Sequence, residues 1–160
     1  MSIFDTREVL RIAIMDEETG VAFYHSLASA TRRPDVQSEC IAIGQQEEMH
    51  AQRFRKMLSD LGEYAPQEEY TGQYEAFLNA LVESRAFPNP AEAARRAGAA
   101  RSDAEAIDLA IRLEKDTFIF LCEIKPTLPP VHTDIVEAVI NEERQHLTDL
   151  SRLRRTVVGG

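Results

Sequence analysis

The amino-acid sequence predicts an all-α fold, a four-helix bundle of two antiparallel helical hairpins joined by a long crossover that has short helices of its own. Three observations carry that reading. Four long segments repeat apolar residues at alternating spacings of three and four, the period of one helix face. Cap and turn residues bracket each segment and leave short connections within each pair. The motif Glu-x-x-His occurs twice, as Glu47…His50 and Glu143…His146, each about thirty residues after a glutamate, Glu17 or Glu114, that interrupts an apolar stripe.

The first long helix is expected over residues 5–31, where Asp5…Glu8 has capping-box spacing. The second, over 34–61, opens at Pro34, a residue suited to the first helical position, and stops before Gly62. The crossover occupies 62–101. Within it Tyr74, Phe77, Leu78, Leu81 and Val82 recur at helical spacing, and Asn89-Pro90-Ala91-Glu92 followed by Gly98 reads as a second short capped helix. Its aromatics are expected to pack on the bundle or on a second subunit. The third long helix, over 102–125, starts at the capping box Ser102…Glu105 and is closed by Pro126; the fourth, over 130–155, starts at Pro129-Pro130. A crossover of that length can travel the bundle, which makes the third helix parallel to the second. The tail Val157-Val158-Gly159-Gly160 reads as a frayed terminus.

A chain of 160 residues suits one domain, 1–160, able to bury roughly 70% of its unfolded surface. Its net charge of −9 disfavours nucleic acid, which draws affinity from clustered Lys and Arg; Arg95-Arg96 and Arg152…Arg155 read as solvated helix faces. The two cysteines, Cys40 and Cys122, form no C-x-x-C and are expected to be buried free thiols. No segment has the length and apolarity of a bilayer span, and a cytoplasmic location without membrane contact is the expectation.

The two hairpins form an internal repeat: Glu17 and Glu114 are 97 positions apart, Glu47 and Glu143 are 96. Residues three apart share a helix face, so each Glu-x-x-His pair can reach one point. At 1.5 Å per residue Glu17 lies roughly 21 Å below the first turn and Glu47 roughly 20 Å below it, with roughly 18 and 20 Å in the second hairpin. Six side chains, Glu17, Glu47, His50, Glu114, Glu143 and His146, can thus meet in one layer. Four carboxylates facing one another in a core must be protonated, paired or bound to metal, and no Lys or Arg shares their stripes. Their formal charge of −4 matches two divalent cations. Oxygen-rich ligation with one nitrogen per metal favours iron or manganese over structural zinc.

Through Glu17-Glu18-Thr19-Gly20-Val21-Ala22-Phe23-Tyr24, Glu47-Glu48-Met49-His50, Glu114-Lys115-Asp116-Thr117-Phe118 and Glu143-Arg144-Gln145-His146, both hairpins resemble the rubrerythrin-like branch of the ferritin-like superfamily. The resemblance implies a ferritin-like bundle with two iron ions per chain, manganese or a mixed pair being alternatives. It further implies that Glu47 and Glu143 bridge the metals, that Glu17 and Glu114 are terminal carboxylates, and that His50 and His146 bind one metal each. It also implies a di-iron oxidoreductase of peroxidase type, acting on hydrogen peroxide or dioxygen. Two departures stand out: Thr117 occupies the place of an additional helix-three glutamate of rubrerythrins, and there is no rubredoxin module with paired C-x-x-C. An external reductant protein is therefore expected, along with a homodimer or higher homo-oligomer. The rival readings are a ferroxidase or iron-handling protein and a non-catalytic metal-stabilised bundle. His25 and His132 fall off the ligand set and read as surface or rim residues, and Tyr24 as a core aromatic with a satisfied hydroxyl, near enough to serve the metal layer.

Overall fold

A computed structural model of the chain describes residues 6–61 and 72–159. Among the described residues six α-helices follow in order: α1 (Thr6–Ala30), α2 (Pro34–Asp60), α3 (Gly72–Glu83), α4 (Pro90–Gly98), α5 (Asp103–Ile124) and α6 (Pro130–Gly159), with a 3-10 turn over Lys125–Thr127. The expected caps at Asp5 and Gly62 and the terminal Gly160 lie outside the described residues.

Local chemistry explains the boundaries. Pro34 stands in the first turn of α2; nearby, the Gln37 amide donates to Ala28 O at 2.9 Å, satisfying a carbonyl at the end of α1. Ser102 Oγ accepts from Glu105 N at 3.1 Å at the start of α5, and the Glu105 carboxylate accepts from the Arg101 backbone N–H at 2.8 Å, one residue earlier than a capping box prescribes. Asn89 Oδ1 accepts from Glu92 N at 2.9 Å and so caps α4.

α1 with α2 and α5 with α6 form the two hairpins, and their apolar faces divide into two clusters. One joins Val9, Leu10 and Ala13 of α1 to Phe54 and Met57 of α2, Phe120, Leu121 and Ile124 of α5, and Val136, Val139 and Ile140 of α6. The other joins Phe23, Tyr24 and Leu27 to Val36, Cys40, Ile43, Ile107, Ala110 and Leu150. The first gathers the start of α1 and α6 and the end of α2 and α5, so α5 runs parallel to α2. Between the clusters lies the layer of glutamates and histidines.

The crossover packs on the bundle through both its helices. Leu78 of α3 is fully buried and the Tyr74 hydroxyl donates to Glu123 O at 2.6 Å, while Phe77 stays exposed. α4 lies on α1 through the small residues Ala93 and Ala97, and Ser26 Oγ donates to Ala94 O at 2.7 Å. Between α3 and α4 the chain turns Arg85 inward. Its side chain, 8% exposed, pairs with Asp16 at 2.6 Å and lies over the Phe120 ring.

Two expectations need correction. The C-terminal tail is not frayed: α6 continues to Gly159, because Val157 packs on the second cluster and Arg154 makes a paired contact with Asp108 at 2.8 and 3.0 Å. His132 is not a surface residue but 6% exposed in the first turn of α6. Among the described residues no helix is long and apolar enough to cross a membrane.

Candidate metal centre

Each of the six side chains occupies a position that helical periodicity assigns to the core, and all six are 0–2% exposed. α1 supplies Glu17, α2 Glu47 and His50, α5 Glu114, α6 Glu143 and His146. They gather into two groups able to hold a metal ion, Glu17–Glu47–His50–Glu143 and Glu47–Glu114–Glu143–His146, with candidate ligand atoms within 4.8 Å of one another. Glu47 and Glu143 belong to both groups, the positions that a bridge between two ions requires.

Both imidazoles turn Nδ1 inward. His50 Nδ1 lies 3.3 Å from Glu17 Oε2 and 3.0 Å from Glu143 Oε1, and His146 Nδ1 lies 3.1 to 3.3 Å from Glu143 Oε2, Glu47 Oε1 and Glu114 Oε2. The rings stack at 27° with centroids 5.8 Å apart. Each Nε2 faces the opposite way and across the seam between α2 and α6. His50 Nε2 meets Glu142 Oε2 at 2.7 Å, and His146 Nε2 meets Gln46 Oε1 at 2.6 Å. Because carboxylate and amide oxygens only accept, Nε2 donates in both rings; Nδ1 also faces carboxylate oxygens, so without a cation both nitrogens can carry protons, and an ion in the centre would take the place of the Nδ1 proton.

Electrostatics restates the problem that the sequence posed. Burial, then the neighbouring carboxylates, pushes Glu17, Glu47 and Glu114 well above the usual carboxylate range. Burial pushes Glu143 the same way, but its contacts with His146 and His50 outweigh that and hold it below. The protein alone does not satisfy this layer. Glu17 Oε1, both oxygens of Glu47 and Glu143 Oε1 have no hydrogen-bond partner; the nearby Nδ1 atoms approach Glu47 Oε1 and Glu143 Oε1 without aligning as hydrogen bonds. Buried, unpartnered carboxylate oxygens are costly unless a cation takes them, so the residues present fit two metal ions.

Four features around the layer shape it. The Tyr24 hydroxyl donates to Glu114 Oε1, so this buried aromatic has its hydroxyl satisfied by one of the six residues. Gly20 gives Glu47 room: a Cβ there would collide with Glu47 Oε2 and lie 3.1 Å from its Cδ. The Glu142 carboxylate is also held by Arg53 Nη1 at 2.9 Å, which ties His50 to the surface. Asp16, beside Glu17, meets the crossover through Arg85 and is pushed up to about 7, chiefly by burial, with Arg85 opposing.

Sequence reasoning missed Gln46 and Glu142. The signal was available: each immediately precedes the glutamate of a Glu-x-x-His, so both lie four residues before a histidine and 96 positions apart. Nothing local marks Arg85, which reaches Asp16 from 69 positions away. Of the remaining candidates, His25 is exposed, as expected of a surface residue, and neither it nor His132 joins a ligand group. Both thiols are free; Cys40 is buried, whereas Cys122 is only half-buried, because it lies at the edge of its cluster.

A family model described as Rubrerythrin matches residues 8–154, nearly the whole chain. Searches among curated proteins and among solved structures returned no match.

Proposed function

The chain belongs to the rubrerythrin family, and from that premise we propose that it is a non-haem di-iron oxidoreductase that reduces hydrogen peroxide or dioxygen with electrons from a separate reductant protein. The observation that supports it is the layer of four buried carboxylates with unpartnered oxygens around two inward-facing Nδ1 atoms. Glu17 and His50 would hold one ion, Glu114 and His146 the other, with Glu47 and Glu143 shared. Bound as a ferrous pair, iron supplies two electrons and Lewis acidity, which with two protons balances the reduction of hydrogen peroxide to two waters.

The protein's own contribution is positional. Glu142 and Gln46 each accept from Nε2 of His50 and His146, which aims Nδ1 of both rings at the centre, and Tyr24 fixes the Glu114 carboxylate. Full burial keeps bulk water from competing for the carboxylates. Cys40 and Cys122 form no C-x-x-C, so these 160 residues offer no thiolate-bound iron relay, and the electrons are assigned to a separate reductant.

Iron analysis followed by stopped-flow oxidation of the reduced protein tests the proposal. It requires about two irons per chain, as the ligand groups imply, and oxidation by peroxide much faster than by air. Multiple turnovers with excess Fe(II) and air, without a preference for peroxide, would instead make Fe(II) the substrate of a ferroxidase.

A further inference from the structure

Among the positions where the repeat that builds the centre is broken, two carry side chains that hydrogen-bond its candidate ligands. On the odd helices the repeat distance is 97, so Tyr24 corresponds to Leu121; on α2 and α6 it is 96, so Gln46 corresponds to Glu142. Both differences fall on groups in hydrogen-bond contact with the six candidate ligands. They divide the layer into unlike halves.

In the half containing Glu17 and His50, the imidazole donates Nε2–H to a carboxylate, Glu142 Oε2 at 2.7 Å. A charged acceptor there draws the proton outward and makes Nδ1 a stronger donor to a cation. Glu17 Oε1 has no hydrogen-bond partner, so its lone pairs remain available. In the half containing Glu114 and His146, the imidazole donates to a neutral amide, Gln46 Oε1 at 2.6 Å. There Glu114 Oε1 already accepts the Tyr24 hydroxyl, which withdraws part of its negative charge from any ion. Both differences act in the same direction. Arg53, on the other oxygen of Glu142, opposes them in part, but its side chain is 37% exposed and partly screened by water.

We propose that the two metal positions are inequivalent: the Glu17–His50 position is the tight one, and the Glu114–His146 position is the weaker one, which exchanges its divalent ion more readily. This rests on the di-metal reading above and adds the order in which the positions fill. Glu142 and Gln46 are positioning residues, acting on the ions through His50 and His146.

Co(II), which reports coordination by its visible spectrum and needs no redox turnover, serves as the probe. Titrated into the metal-free full-length chain, it should bind in two steps whose affinities differ at least about tenfold. Substitution His50→Ala should remove the tight step and His146→Ala the weak one. Glu142→Gln should weaken the tight step about 10–100-fold, whereas Gln46→Glu should strengthen the weak step. The last predicts a gain, which misfolding cannot imitate. Two equal steps that Gln46→Glu and Glu142→Gln leave unmoved would overturn the inequivalence while the di-metal reading stands. A wild-type chain that takes up fewer than two Co(II) would overturn both.

Discussion

Gly20→Ala separates the stability of the bundle from the quality of its centre. A methyl group at this position of α1 would collide with Glu47 Oε2 and stand 3.1 and 3.2 Å from Cδ and Cγ of the same side chain. Restoring an ordinary contact of about 3.5 Å moves the carboxylate by roughly 1 Å. Glu47 belongs to both ligand groups, so that displacement acts on both ions. A perturbation of ligand placement of this kind is worth about 10–100-fold in metal affinity, or about 1.4–2.8 kcal/mol. The metal-free protein responds differently: alanine improves helix propensity by about 1 kcal/mol, and the obstacle is the movable end of a side chain rather than backbone. Its melting temperature should therefore stay within about 4 °C of the parent. Calorimetric melting of the metal-free chain, paired with Co(II) titration of the same sample, measures the two effects. Two ions bound at parental affinity would refute the reasoning, as would a metal-free chain that no longer folds.

Further predictions concern the surroundings. Arg85→Ala leaves Asp16 buried without its partner and should cost about 3 kcal/mol, a drop of roughly 6–12 °C in melting temperature. Since the folded value of Asp16, about 7, lies above the unfolded 3.8, the stability linked to its protonation is complete below pH 3.8 and lost as pH rises towards 7; the Arg85→Ala penalty should be larger at pH 8 than at pH 5, and a pH-independent penalty would refute this. Burial raises Glu17, Glu47 and Glu114 in the metal-free chain, so metal uptake should release protons and strengthen with rising pH; calorimetry in two buffers of different ionisation heat would detect the release. Cys40, buried and pushed up to about 12, should resist alkylation at pH 8 until the chain unfolds, whereas half-buried Cys122 reacts in the folded state; mass spectrometry of labelled peptides distinguishes them.

What could be read from the sequence was what repeats or what punctuates. Pro34, Asn89 and Ser102 mark the helix starts through local chemistry, and the six candidate ligands are visible because charge in an apolar stripe is anomalous. Contacts between distant segments left no such trace. Arg85 looks like any loop arginine until the crossover folds back over α1 and α5. The burial of His132 and the continuation of α6 to Gly159 likewise depend on what the neighbouring helices offer. Gln46 and Glu142 lie between these cases: their place beside the motif was plain, but their reach across to the opposite helix required the seam between α2 and α6.

Neither hairpin contains a complete ligand group. Glu17, Glu47 and His50 must wait for Glu143 from the far end of the chain, and Glu114, Glu143 and His146 must wait for Glu47. An ion bound at either position is thus a clasp between two separately formed hairpins, and its binding energy falls on their docking rather than on the hairpins themselves. Loss of metal would loosen the bundle along that junction first, leaving each hairpin to its own packing.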